Sequence, residues 1–297
     1  MPYLRTRPVI PSHVKDHLIR ILGISKNPST QKYVIMMQFA NNGNLRNYLK
    51  KNYSIITWDR KLLILQYIAG GLKSLHALGL IHKNLHSNNI LLHEEIPLIG
   101  DFGLCRPVDK FDEKEEIYGV LPYVAPEVLR TKVYTKESDI YSFAFIMWEM
   151  CTYLPPLCER SHDTNLVLEI FHGLRPKILE GTPRTFARFM KLCWDTNPSK
   201  RPTAEEVYNT LKYWQMEFSQ KRPTECYTDF KAADDWKKKK LLNNPNIPCT
   251  NHHPNAYYKS RPLQLPDAII NDFTSNLNSH LENFARGEKV FTVKHFV

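Results

Sequence analysis

No stretch of this chain stays apolar for the roughly 18–20 residues needed to cross a bilayer. The longest greasy region, residues 61–81, is broken by Gln66, Lys73 and His76. Arg5 and Arg7 are not followed by an apolar run, so no secretory signal is expected. Cysteine is sparse: Cys105, Cys151, Cys158, Cys193, Cys226 and Cys249 fall at irregular spacings with no C-x-x-C pair. That argues against a disulfide framework or zinc site and points to free thiols in a reducing compartment. A soluble, intracellular, cytoplasmic protein is expected. Glycine is scarce too, and the first is Gly23.

Positive charge is in excess, at a net +10. Such a balance can mark nucleic-acid or anionic-membrane partners. Here the basic residues are dispersed, and only lysines 237–240 form a run. A solvated helix face explains that run, with a targeting or phosphate-binding role as the alternative. No nucleic-acid partner is expected, and nothing in the sequence fixes an oligomeric state.

Along the chain, strand patterns come first and helices after. Residues 1–16 carry three prolines and no periodicity, an irregular lead-in. Residues 17–25 and 33–40 are short and apolar around a Lys26-Asn27-Pro28-Ser29 turn, which predicts a hairpin. After Asn41-Asn42-Gly43-Asn44 comes a short helix over 45–50. A long helix follows, with Thr57 as N-cap, Leu62, Leu65, Ile68, Leu72 and Leu75 at helical spacing, and Gly79 as the stop. A buried helix through Ile140, Phe143, Met147 and Met150, and one opened by the capping box Thr203-x-x-Glu206, complete the body. This order predicts an α+β fold with a mostly helical body over 41–214. Residues 215–297 are rich in Asn, Lys and Pro and read as an extended tail. Within it Ile269, Ile270, Phe273, Leu277, Leu281 and Phe284 share one face of a helix expected at 267–286 and closed by Gly287.

The decisive segment is Ile81-His82-Lys83-Asn84-Leu85-His86-Ser87-Asn88-Asn89-Ile90-Leu91-Leu92. Seventeen positions after Asn84 comes Asp101-Phe102-Gly103, then Ala125-Pro126-Glu127, Ser138-Asp139-Ile140-Tyr141-Ser142, and Cys193-Trp194 leading to Arg201-Pro202. Five such motifs in this order resemble the H-R-D-L-x-x-x-N loop, the D-F-G and A-P-E motifs and the late-helix signatures of eukaryotic protein kinases. The likeness covers roughly residues 17–214. Within that superfamily the chain looks closest to the tyrosine-kinase-like group. It is similar in particular to the expanded kinase-like sets of arbuscular mycorrhizal fungi, whose tails carry comparable stretches (here His253-Pro254 and Tyr258-Lys259-Ser260-Arg261-Pro262).

The resemblance implies a protein-kinase-like fold: a helical C-lobe with residues 17–40 as N-lobe remnant and hinge. Asn89 and Asp101 would hold magnesium beside the phosphates of ATP. The backbone from Gln38 to Ala40 would face the adenine edge over Leu91. Asp139 would bond the catalytic-loop backbone, and Glu127 would pair with Arg201 inside the lobe. These last, with His82 and Phe102, carry structure rather than activity.

Other features depart from the pattern. Asn84 stands where the family places its catalytic aspartate, and losing a general base costs about 10²–10⁴ in rate. His86 replaces a lysine that steadies the γ-phosphate, Val120 a threonine, and Lys83 the arginine that clamps a phosphorylated activation loop. Ahead of the first strand there is no Gly-rich loop, and the only lysine is Lys15. The upper lobe is therefore expected to be a two-strand remnant with weak or absent Mg-ATP binding. Its strand residues Tyr33, Ile35 and Met37, with Val34 and Met36, would be partly exposed and invite a protein partner. Three readings remain open: a pseudokinase serving as a binding or regulatory module, an active Ser/Thr or Tyr kinase whose N-lobe lies outside this sequence, and a decayed duplicate.

Overall fold

The computed structural model describes residues 17–108, 116–243 and 252–263. The lead-in 1–16 with Lys15 and the helix expected at 267–286 lie outside the described residues. In chain order come β1 (Ile21–Lys26), β2 (Tyr33–Met37), α1 (Leu45–Lys51), α2 (Trp58–Ala77), β3 (Leu80–Ile81), β4 (Ile90–His93), β5 (Ile96–Ile99), β6 (Arg106–Pro107) and β7 (Tyr118–Gly119). Then follow α3 (Pro126–Thr131), α4 (Lys136–Thr152), α5 (Thr164–Phe171), α6 (Arg184–Cys193), α7 (Ala204–Ser219), α8 (Glu225–Asn243) and β8 (Arg261–Pro262). The fold is α+β, with a helical body and short antiparallel strand pairs: β1–β2, β3–β6, β4–β5 and β7–β8.

The hairpin is shorter than its sequence suggests. Its first strand begins at Ile21 because Leu18 and Ile19 turn away to the body. Leu18 bridges Ile99, the Ile19 N–H donates to the Ile99 carbonyl at 2.8 Å, and both side chains are buried. The Asn27 side chain closes the turn by accepting the Ser29 and Thr30 N–H groups at 2.9 and 3.0 Å.

Helices α2 and α4 form the centre of the core, with α2 packed along α7 and α4 against α6. Thr57 sits at the N-cap of α2 but makes no side-chain cap bond. The Asp234 carboxylate of α8 takes the Trp58 N–H instead, at 3.1 Å. Gly79, at φ 71°, supplies the left-handed turn that ends the helix. The capping box on α7 is complete, with Thr203 and Glu206 each bonding the other's backbone N–H.

The extended tail predicted from 215 onward is corrected by the structure. Helix α7 runs to Ser219, and α8 packs on the body through buried Cys226, Phe230 and Ala233. The Phe230 ring lies 5.1 Å from that of Trp58 and 5.6 Å from that of Trp214. These apolar residues fall at helical spacing, and Lys237 continues the same stripe. That corrects the reading of the lysine run as a solvated face. The Lys237 ammonium lies over the rings of Tyr153 and Tyr53, and Lys240 over Trp236 at 4.7 Å, while Lys238 and Lys239 are exposed.

Candidate functional site

The loop after β3 is held by one buried carboxylate on α4. Asp139 accepts the His82 N–H through Oδ2 at 2.8 Å and the Lys83 N–H through Oδ1 at 3.0 Å. The His76 Nε2 lies 2.9 Å from the same Oδ2. His82 donates from Nε2 to the Gly100 carbonyl at 3.0 Å, which leaves Nδ1 to accept the Asn84 N–H at 3.3 Å. Burial pushes the His82 pKa down, so the neutral ring these two bonds require is the stable form. Its edge meets Phe102 at 5.8 Å between centroids.

Asn84, Asn89 and Asp101 come together as one cluster. The Asn84 Nδ2 donates to Asp101 Oδ2 at 3.1 Å. The Asn89 Nδ2 donates to that same oxygen at 3.1 Å and to the Asn84 carbonyl at 2.9 Å. Asp101 is held at φ 59°, a left-handed conformation that costs a non-glycine residue energy and is common at functional sites. Among the described residues no three His, Cys, Asp or Glu gather to hold a metal unaided. Magnesium arriving on phosphates needs only one or two protein oxygens, and Asp101 with Asn89 offers a carboxylate and a carboxamide. The residues present fit that limited role.

Gln38 and Ala40 stand at the end of the hairpin. The Gln38 N–H donates to the Arg20 carbonyl at 2.8 Å, and the Ala40 carbonyl accepts the Gly43 N–H at 3.2 Å. Both groups are engaged within the chain. Leu91 is partly buried and pairs with Leu98 across β4–β5. A Cβ on Gly100 would come within 3.1 Å of Leu91 Cδ1, so this glycine lets the leucine approach.

Glu127 and Arg201 form a bidentate pair at 2.6 and 2.8 Å. The arginine side chain is fully buried and also donates to the carbonyls of Asp195 and Glu137, while the glutamate keeps 19% exposure. His86 is buried, and its pKa is pushed down to about 3 by burial first and then by the charge of Arg46. It is therefore uncharged at neutral pH and cannot replace a phosphate-steadying cation.

A buried network beneath the loop was missed from sequence. Glu149, on α4, accepts the Ser87 hydroxyl at 2.8 Å, the Tyr123 hydroxyl, and the Arg46 Nε at 3.2 Å. Arg46 Nη2 donates to the Tyr123 oxygen at 2.7 Å. A signal existed: Glu149 is the one carboxylate in the apolar part of α4 that follows Ser142, and such a group needs a cation or donors. Also unforeseen was the return of the chain to this loop. Ser260 donates its hydroxyl to Asn84 Oδ1 at 3.1 Å, and His86 Nε2 lies 3.1 Å from the same Ser260 oxygen.

The chain is similar to several curated kinases. It is 31% identical over 199 residues to serine/threonine/tyrosine-protein kinase HT1 of Arabidopsis thaliana, covering 66% of this chain and 50% of that protein. It is 31% identical over 198 residues to RGS domain-containing serine/threonine-protein kinase A of Dictyostelium discoideum, covering 66% and 17%. A putative serine/threonine-protein kinase/receptor of Acanthamoeba polyphaga mimivirus is 33% identical over 190 residues, covering 63% and 12%. The chain thus spans half or less of the length of these relatives. The family model for protein tyrosine and serine/threonine kinases matches residues 5–211. That match takes in the Asn84 loop, the Asp101 turn and the Glu127–Arg201 pair together, and the chain belongs to the eukaryotic protein kinase superfamily.

Proposed function

We propose that this chain is a pseudokinase, a kinase-fold binding or regulatory module in intracellular signalling. The amide at Asn84 carries this reading. In phosphoryl transfer the acceptor hydroxyl gives its proton to a carboxylate at this position. Asn84 Oδ1 can orient a hydroxyl, but an amide takes up no proton near neutral pH. Bound Mg-ATP would supply the transferable phosphoryl group, with Asp101 and Asn89 as magnesium ligands. Its binding is weak on this reading, because Asp101 Oδ2 already accepts two amides and the Gln38 and Ala40 groups are engaged. The exposed apolar hairpin suits a protein partner. Free thiols at Cys105, Cys151, Cys193 and Cys226 suit a reducing, cytoplasmic location.

The second reading is an active kinase with further sequence outside this chain. The Asn89–Asp101 pair and the names of the longer relatives favour it. A radiolabel transfer assay on wild type and Asn84→Asp separates the two. Intact kinases turn over at roughly 1–100 s⁻¹; both proteins are expected far below that range. Wild-type turnover within it would establish the active enzyme. A thermal-shift titration to millimolar Mg-ATP is expected to stay nearly flat, whereas a ligand at 100 times its Kd would add about 2.7 kcal/mol.

A further inference from the structure

The segment 252–263 is polar, follows α8 in the chain, and yet lies on the site. Its backbone is tied down along its length. The His253 N–H donates to the Cys158 carbonyl at 2.8 Å, and the Asn255 carbonyl accepts the His162 N–H at 3.1 Å. His162 donates from Nε2 to the Leu157 carbonyl at 3.3 Å, which leaves Nδ1 to accept the Tyr257 N–H at 3.1 Å. The Tyr258 carbonyl accepts from Asn88 Nδ2 at 3.2 Å. At the far end β8 pairs antiparallel with β7, Arg261 opposite Gly119 and Pro262 opposite Tyr118, and the Leu263 N–H donates to the Ile117 carbonyl at 2.8 Å.

Side chains alternate as an extended peptide requires. Tyr257 and Lys259 face out, whereas Tyr258 and Ser260 face in. The Tyr258 hydroxyl donates to the Pro156 carbonyl at 2.9 Å, its ring edge meets His162 at 4.9 Å, and the Arg46 guanidinium lies 4.8 Å over its face. Two residues on, the Ser260 hydroxyl donates to Asn84 and faces His86. Arg261 Nη2 then donates to the His162 carbonyl at 3.1 Å. Asn84 and His86 are 4% and 3% exposed with this segment above them.

We propose that this face is a peptide-binding groove, occupied here by the chain's own residues 252–263, with Ser260 in the position of an acceptor hydroxyl. Main-chain bonds to β7 give affinity, as in strand-addition recognition, and the Tyr258 and Ser260 seats give specificity. The ligand class is an extended Tyr-x-Ser-Arg-Pro peptide. Attachment gives the segment an effective concentration on the order of millimolar, so a competing peptide must displace it. The assignment extends the binding-module reading above but requires neither activity nor its absence.

The test uses a fluorescent peptide of residues 252–263 with the full chain, either wild type or Tyr258→Ala/Arg261→Ala, which loosens the bound segment. Polarisation titrations are expected to show binding at least tenfold tighter to the double variant. A scrambled peptide should bind neither protein, and a peptide carrying Ser260→Glu should bind at least tenfold more weakly. Equal affinity for both proteins, no binding to the folded variant at millimolar peptide, or equal binding of the scrambled peptide would overturn the proposal. If the variant fails to fold, hydrogen exchange on wild type decides. The Tyr257 and Leu263 amides should exchange at least tenfold slower than in the free peptide, and free-peptide rates would refute the seating. Phosphate appearing on Ser260 in Mg-ATP would overturn the pseudokinase reading while supporting the placement of Ser260.

Discussion

Helix α4 and the β1–β2 hairpin are both strongly apolar, yet α4 buries nearly every side chain from Ser138 to Met150 and the hairpin buries none fully. The segment 252–263 is the reverse case, polar in sequence and bonded throughout. Apolar content sets the demand for burial; neighbours supply it. Helix α4 has α2, α6 and β3 around it, whereas β1 and β2 have mainly one another. A lone two-stranded hairpin is marginal in water, so its side chains remain solvated despite their chemistry.

The largest expected effect tests whether α8 belongs to the core side of this contrast. Phe230→Ala removes a fully buried ring between Trp58, Phe186 and Trp214. The expected loss in denaturant melts is about 3–5 kcal/mol. A loss below about 1 kcal/mol would put α8 with the hairpin as a peripheral element. Next comes Arg201→Ala, which strands the Glu127 carboxylate and two backbone carbonyls. It should cost about 3 kcal/mol, and a change within about 0.5 kcal/mol would show that the pair is effectively at the surface.

The helical body was legible because its signals are local: Asn84, Asp101, Glu127, Asp139 and Arg201 sit in dense motifs, and the Thr203–Glu206 box marks a helix start. The α8 stripe was legible in principle but masked by its lysines and by the surrounding Asn- and Lys-rich texture. Residues 252–263 were illegible for a deeper reason. Their fixed shape comes from long-range partners, as with Ser260 and Asn84, which lie 176 positions apart. No local pattern of turn residues reports such a contact. The Arg46–Glu149 pair spans 103 positions and hid in the same way.

A smaller effect follows from the histidines under and beside that segment. The folded His86 pKa is pushed down to about 3, below the ordinary 6.5, and burial lowers those of His82 and His162. Unfolded histidine therefore binds protons that the folded rings refuse. Stability from this source is fully present above about pH 6.5 and is lost as pH falls toward 3. From His86 alone the loss at pH 5 is on the order of 2 kcal/mol. Urea melts at pH 7 and 5 should show it, and His86→Gln should shrink the difference. An unchanged pH difference in that variant would mean that His86 stays solvated in the folded protein.

The smallest effect is expected where the sequence looks most core-like. Ile35 on β2 is 38% exposed, and Gly23 and Ile24 lie across from the centre of its strand. Ile35→Thr keeps the branched Cβ and the strand preference that goes with it, so the substitution reads burial rather than backbone propensity. A side chain in this setting should change stability by no more than about 0.5 kcal/mol. Solubility should rise, because the variant breaks an exposed apolar patch. The melts should be run at two protein concentrations. A loss above about 1.5 kcal/mol that shrinks with dilution would mean that the hairpin is covered in solution by a second copy. The same loss independent of concentration would mean that it packs on the chain itself. Either result would end the contrast with α4; a near-zero change would leave the hairpin as the one strongly apolar element, among the described residues, that the fold does not bury.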